Sequence, residues 1–178
     1  MGGGVYQGNV VGRCYVKRVL GALVVLLLGW FLGTSMCAAM ATEEQRIRWL
    51  FEAEARSFNG ASLFTVLDGF AADYRDRTLG LQRSALRGAL LQAFRSRRDP
   101  ATGAFRYRVE LPDESFVAEV DAGGGRGTVE TELLLFDSLA ADEGPLWHLR
   151  LLVEVEKRAM GWRIVESEHQ TLSGARPR

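Results

Sequence analysis

Residues 147–170 read WHLRLLVEVEKRAMGWRIVESEHQ, and this stretch decides the fold class. Trp147, Leu149, Leu151, Val153 and Val155 alternate with His148, Arg150, Leu152, Glu154 and Glu156. A period of two, apolar on one side and mostly polar on the other, is the signature of a half-buried strand. A turn around Ala159 to Gly161 leads to a returning strand, Trp162 to His169. The same period extends upstream. Phe105, Tyr107, Val109 and Leu111 alternate with Arg106, Arg108 and Glu110. Phe116, Ala118 and Val120 alternate with Val117 and Glu119, and Val129, Thr131, Leu133 and Leu135 with Glu130, Glu132 and Leu134. Gly123-Gly124-Gly125 reads as a hairpin turn; it lacks the following helix and the Lys-Ser/Thr of a phosphate loop. A loop is expected near Ala140 to Pro145.

Before Pro100 the period is helical. Thr42-Glu43-Glu44-Gln45 is a capping box, with Thr42 as N-cap and Gln45 at the third helical position. The helix it opens carries Ile47, Leu50, Phe51, Ala55 and Phe58 on one stripe and ends at Asn59-Gly60. Ser62 can cap a shorter helix with Leu63, Val66, Leu67 and Phe70 inward. Asp73-Tyr74-Arg75-Asp76-Arg77 reads as a polar, salt-bridged connector, with a ligand clamp as its alternative, and Thr78-Leu79-Gly80 as a break. A third helix from about Gln82 to Arg97 presents Leu86, Ala89, Leu90, Ala93 and Phe94. Arg95, Arg97 and Arg98 favour its C-terminus. The expected fold is α+β: three N-terminal helices packed on one face of a curved antiparallel sheet, spanning residues 42–172, with a frayed tail at 173–178.

The first 41 residues follow other rules. They hold no acidic residue; Arg13, Lys17 and Arg18 precede an uncharged run from Val19 to Ala41. Such a run is long enough to span a bilayer, and the cations hold its N-terminal end in the cytoplasm. Residues 1–41 are therefore expected to be a signal peptide, cut after Ala39-Met40-Ala41, or a single membrane anchor through residues 19–41. Either fate puts the domain in the periplasm or on the outer side of a bacterial inner membrane. Lipidation at Cys37 is disfavoured by Met36 before it, and myristoylation at Gly2 by Tyr6.

Both cysteines, Cys14 and Cys37, lie in the leader, so the domain has no internal disulfide, no thiolate chemistry and no Cys-bound metal. All 22 acidic residues follow Ala41, against 19 Lys and Arg. A mildly acidic domain is not the profile of a nucleic-acid binder. His148 and His169 are the only histidines, too few for a metal site, and no cofactor motif appears.

The order of elements and some of the wording resemble the nuclear transport factor 2-like superfamily, which includes SnoaL-like cyclases and ketosteroid isomerases. The resemblance covers Thr42 to Thr171. It rests on the opening helix through Phe58-Asn59-Gly60-Ala61 and the short helix after it, on Asp73-Tyr74-Arg75-Asp76-Arg77 with Gly80-Leu81-Gln82-Arg83-Ser84-Ala85-Leu86, and on Gly161-Trp162-Arg163-Ile164-Val165. It implies a cone with a pocket at its open end and an outer sheet face used for homodimers.

Three functions are compatible with that outline. The favoured one is binding without catalysis: a small apolar ligand in the cone, offered Tyr74, Phe94, Tyr107, Trp147 and Trp162, or a protein partner on the sheet. The second is an isomerase, cyclase or hydrolase. The resemblance implies a buried carboxylate or His as proton shuttle and a Tyr at an oxyanion. Glu166 and Glu168, placed on the strand face of Trp162 and Ile164, are the candidate acids, and Tyr74 or Tyr107 the donor. His169 is placed opposite the Ile164 face. The third is an inner-membrane assembly subunit, whose layout in type IV secretion systems and protein-import motors is similar.

Overall fold

The computed structural model describes residues 41–140 and 144–175. The leader expectations therefore lie outside the described residues. Among the described residues, no helix is long and apolar enough to cross a membrane.

Thr42 caps the first helix as read. Thr42 Oγ1 accepts a hydrogen bond from the Gln45 backbone N–H at 3.3 Å and opens helix α1, Glu43–Asn59. Glu43 ties that first turn to the far end of the sheet. Its carboxylate accepts from Lys157 Nζ at 2.9 Å and from Trp162 Nε1 at 2.8 Å. At the other end of α1 the Asn59 amide clamps the Val109 backbone, donating to its carbonyl at 3.0 Å and accepting from its N–H at 2.7 Å. Helix α2 spans Leu63–Asp68 and α3 spans Arg83–Ser96.

Between these two helices the expected connector is a strand, β1, Phe70–Asp76. It pairs in parallel with the last strand, Phe70 opposite Ile164 and Asp76 opposite Ser167. Its charges hide it in the sequence: Asp73 and Arg75 point to water while Ala71 and Tyr74 are buried. The sheet is consequently mixed rather than purely antiparallel, and a strand interrupts the helical half. Asp76 Oδ1 then accepts from the Leu79 N–H at 2.7 Å and closes the turn into α3.

The other strands are β2 (Tyr107–Glu110), β3 (Val117–Val120), β4 (Arg126–Asp137), β5 (Trp147–Arg158) and β6 (Gly161–Gly174). The order is β1-β6-β5-β4-β2, with β3 also on β4. Both short strands share one edge of β4, which they meet at 134–137 and 127–130. In the gap between them Ser115 Oγ accepts from the Glu132 N–H at 3.0 Å. Gly127 is needed there, since a Cβ would stand 2.8 Å from the Glu119 carbonyl oxygen. The triple-glycine hairpin is held by Asp121, whose Oδ1 accepts from the N–H groups of Gly125 and Arg126. Those two bonds, Arg126 first, hold its carboxyl below the usual range. β6 pairs through to Gly174, so the chain beyond residue 172 is strand for two more residues.

Among the described residues, three buried clusters form the core. Ile47 and Phe51 of α1 meet Val129, Val153, Val155, Trp162 and Ile164 of the sheet. Val66 and Leu67 meet Leu90 and Phe94 between α2 and α3. Tyr107, Val109 and Leu135 form the third cluster.

Candidate functional site

Members of all three clusters line one cavity of about 330 Å³ between α1, the sheet and α3. Its walls are apolar, with Phe51, Phe58, Leu86, Leu90, Leu149 and Leu151 among them. Few polar side chains reach it: Glu54, Tyr74, Asp76, Ser167 and His169.

A β-bulge decides which of these are present. Val155 pairs with Ile164, but Glu154 pairs with Glu166, so Val165 is an extra residue. Residues in register on neighbouring strands share a face, and one added residue inverts the parity of everything after it. Ile164 therefore faces inward, and so do Ser167 and His169, opposite Val153 and Leu151. Glu166 and Glu168 face outward. The expected face shared by Trp162, Ile164, Glu166 and Glu168 does not exist, and His169 lies inside rather than opposite. Glu166 is ion-paired with Arg77 on the outer side, and Glu168 is exposed. His148 stays outside, where its Nε2 lies 2.8 Å from Glu132 Oε2.

Of the expected ligand-facing aromatics, Tyr74 and Trp147 line the cavity. Phe94 packs edge-on against Phe58 and Phe105, and Tyr107 against Phe105, as core. Trp162 is buried at the Glu43 bond. The Tyr74 hydroxyl is 2.6 Å from Ser167 Oγ. Burial pushes that phenol up, partly offset by the Ser167 bond and reinforced by nearby Asp76. His169 Nδ1 stands 3.8 Å from Asp76 Oδ2, and both side chains are nearly buried. Trp147 lies edge-on to the His169 ring and donates through Nε1 to Thr171 Oγ1 at 3.0 Å.

Glu54 is the site residue that the sequence reading missed. It sits three residues after Phe51 and seven after Ile47, on the apolar stripe of α1, where a carboxylate is out of place. That break in the stripe is the signal that could have found it. Its carboxyl lies against Gly69, where any Cβ would collide with it. Glu54 Oε2 is buried without a hydrogen-bond partner. Burial, then repulsion from Asp68, pushes its pKa up to about 8, against an opposing pull from Arg163. At neutral pH it is a protonated acid that can donate a hydrogen bond into an apolar space. Among the described residues, no cluster of three metal-ligating side chains occurs.

A curved sheet wrapped on one long helix, with a cavity between them, is the NTF2-like, cystatin-like fold. An NTF2-like protein of that fold from Novosphingobium aromaticivorans superposes with a TM-score of 0.60 at 15% identity, covering 96% of this chain and 94% of its own. An NTF2-like protein of unknown function from Pseudomonas putida gives 0.58 at 12% identity, over 75% and 96%. A function-unknown protein from Mycobacterium tuberculosis gives 0.57 at 21% identity, over 71% and 74%. These likenesses are of fold. No family model matches the sequence, and no match arises among curated proteins.

Proposed function

We propose that the domain is a binding cup for a small, largely apolar molecule that carries one hydrogen-bond-accepting group. The observation that carries this reading is the cavity: about 330 Å³, walled by aliphatic and aromatic side chains, with a neutral Glu54 carboxyl lacking a partner. That size falls in the range of roughly 300–1,000 Å³ for small-molecule pockets. The raised pKa of Glu54 favours a neutral acceptor, such as a ketone or ester oxygen, over an anion. The test is titration with the uncharged fluorophore N-phenyl-1-naphthylamine. Saturable binding to the natural protein, abolished in Leu149→Trp, supports the cup; no binding, or binding unchanged by that variant, removes it.

The same reading puts the cup outside the cytoplasm, released before Thr42 or tethered through residues 19–41. Its support is the charge step in the sequence at Ala41. Mass spectrometry of the mature chain decides it: a Thr42 start means release, and an intact Met1 in the membrane fraction means a tether. Homodimers would form through the outer sheet face, where Leu152 is 49% exposed. A monomer in light scattering at micromolar concentration removes that part.

A second reading, proton transfer in the same cup, is favoured by Glu54, whose pKa of about 8 suits an acid near neutral pH. Carbon-13 NMR of its carboxyl tests this, and a midpoint near 4.5 eliminates it.

A further inference from the structure

We propose that the outer face of α3 is a docking surface for anionic phospholipid headgroups. Residues 77–98 contain six arginines and no acidic residue, within a domain that is acidic as a whole. Two of the six are committed elsewhere. Arg77 pairs with Glu154 and Glu166, and Arg83 donates to the Leu67 carbonyl at 2.8 Å. The other four, Arg87, Arg95, Arg97 and Arg98, have no carboxylate partner among the described residues. Arg98 donates only to the Gly103 carbonyl, at 2.7 Å. The nearest acid in sequence, Asp99, is occupied by the N–H groups of Ala101 and Thr102.

The outer face of the sheet shows that this is not the molecule's general habit. There Arg126 meets Glu156, Arg150 meets Glu130, and Arg158 meets Asp73 and Glu156. Arg87 and Arg95 on α3, and Arg97 and Arg98 just past its end, have no such carboxylate beside them. Leu86, Leu90 and Phe94 turn inward, and the exposed positions between Arg87 and Arg95 are Gly88, Ala89 and Gln92. No exposed bulky or acidic side chain stands between Arg87 and Arg95 on the helix. Helix α2, packed on α3 through Val66 and Leu67, leaves Phe64 74% exposed. Arginines and exposed aromatics are both side chains that settle at a membrane–water interface.

The choice of lipid over other polyanions rests on the proposed delivery of the domain to a bilayer by residues 19–41. The patch itself does not. An arginine that reaches an anionic lipid surface strengthens attachment by roughly fivefold.

The test mixes the full-length protein with vesicles of phosphatidylcholine alone or of phosphatidylcholine and phosphatidylglycerol at three to one. Cosedimentation reads attachment by any route; hydrogen exchange of the α3 peptides reads the patch. The expected result is α3 protection on the anionic vesicles only. It should be lost at high salt and lost in Arg87→Gln/Arg95→Gln/Arg98→Gln, and retained in Arg126→Gln/Arg150→Gln. Protein that sediments with both vesicles while α3 stays unprotected overturns the patch and leaves the tether standing. Protein that sediments with neither removes both. Equal protection on the neutral vesicles, or α3 protection by a single-stranded oligonucleotide at lower phosphate concentration than by lipid, overturns the proposal.

Discussion

The inner and outer faces of the sheet are made by the same strands and are held by opposite means. Inside, Val129, Val153, Val155, Trp162 and Ile164 exclude water almost completely, and the polar groups that enter are few. Outside, glutamates and arginines pair across the strands in contact with solvent. Burial of apolar area stabilises by tens of cal/mol per Å², whereas an exposed ion pair contributes about 0–1 kcal/mol. The inner face therefore holds the fold of the chain, and the ion pairs of the outer face add little to it. The comparison also separates two carboxylates of one type. Glu166 has Arg77 and solvent beside it. Glu54 has Asp68, a glycine backbone and apolar walls, and is neutral at pH 7 for that reason.

The largest effect should come from the inner face. Trp162→Ala removes a buried indole together with its bond to Glu43, and should cost about 3–5 kcal/mol in urea unfolding. Arg126→Ala at the end of the outer face loses only an exposed pair with Glu156 and should stay within about 1 kcal/mol. Similar losses at the two positions would erase the distinction.

Glu54 comes next, and its sign is opposite. Its pKa rises from the ordinary 4.5 to about 8 on folding. The native state thus holds an extra proton between those values, so the contribution of neutral Glu54 is complete below about pH 4.5 and is lost as pH rises through 8. Glu54→Gln should flatten that decline. Because water reaches part of the side chain, the gain at pH 9 should be about 1–2 kcal/mol, with little change at pH 4. Thermal melts across pH 4–9 check it, and a variant that tracks the parent at both ends would refute the buried acid.

Ser167→Ala deletes the bond to the Tyr74 hydroxyl and should cost about 1 kcal/mol. Glu168→Ala, one residue along the same strand, should be neutral within about 0.5 kcal/mol. The pair sharpens the assignment of faces after the bulge; a reversed order would put Glu168 inside.

The smallest effect is expected at Arg77→Ala. It breaks the pairs with Glu154 and Glu166 and should cost under about 1 kcal/mol, shrinking further in 1 M salt.

Much of the fold was legible along the chain because its causes are local. Thr42 and Gln45 announce the start of α1 by capping chemistry, and Asn59-Gly60 its end. The alternations in β4 and β5 mark inward residues correctly from Val129 to Leu135 and from Trp147 to Val155. β1 was not legible, since its parallel partner is about ninety residues away and its own residues look like a charged connector. Neither was the inner end of β6. A period-two reading assumes an unbroken ladder, and the extra residue at Val165 leaves no mark in composition.

By itself, then, the sequence determined the α+β class, the Thr42 cap and the Asn59-Gly60 end of α1, the disulfide-free domain and the charge step at Ala41. Those follow from near-neighbour sterics, capping bonds and hydropathy, which act within a few residues. Only the tertiary structure decided that Ser167 and His169 enter the cavity in place of Glu166 and Glu168, and that Glu54 loses its charge. Both depend on partners distant in the chain. Strand register is fixed by the neighbouring strand, and a carboxyl pKa by how much water the surrounding walls remove.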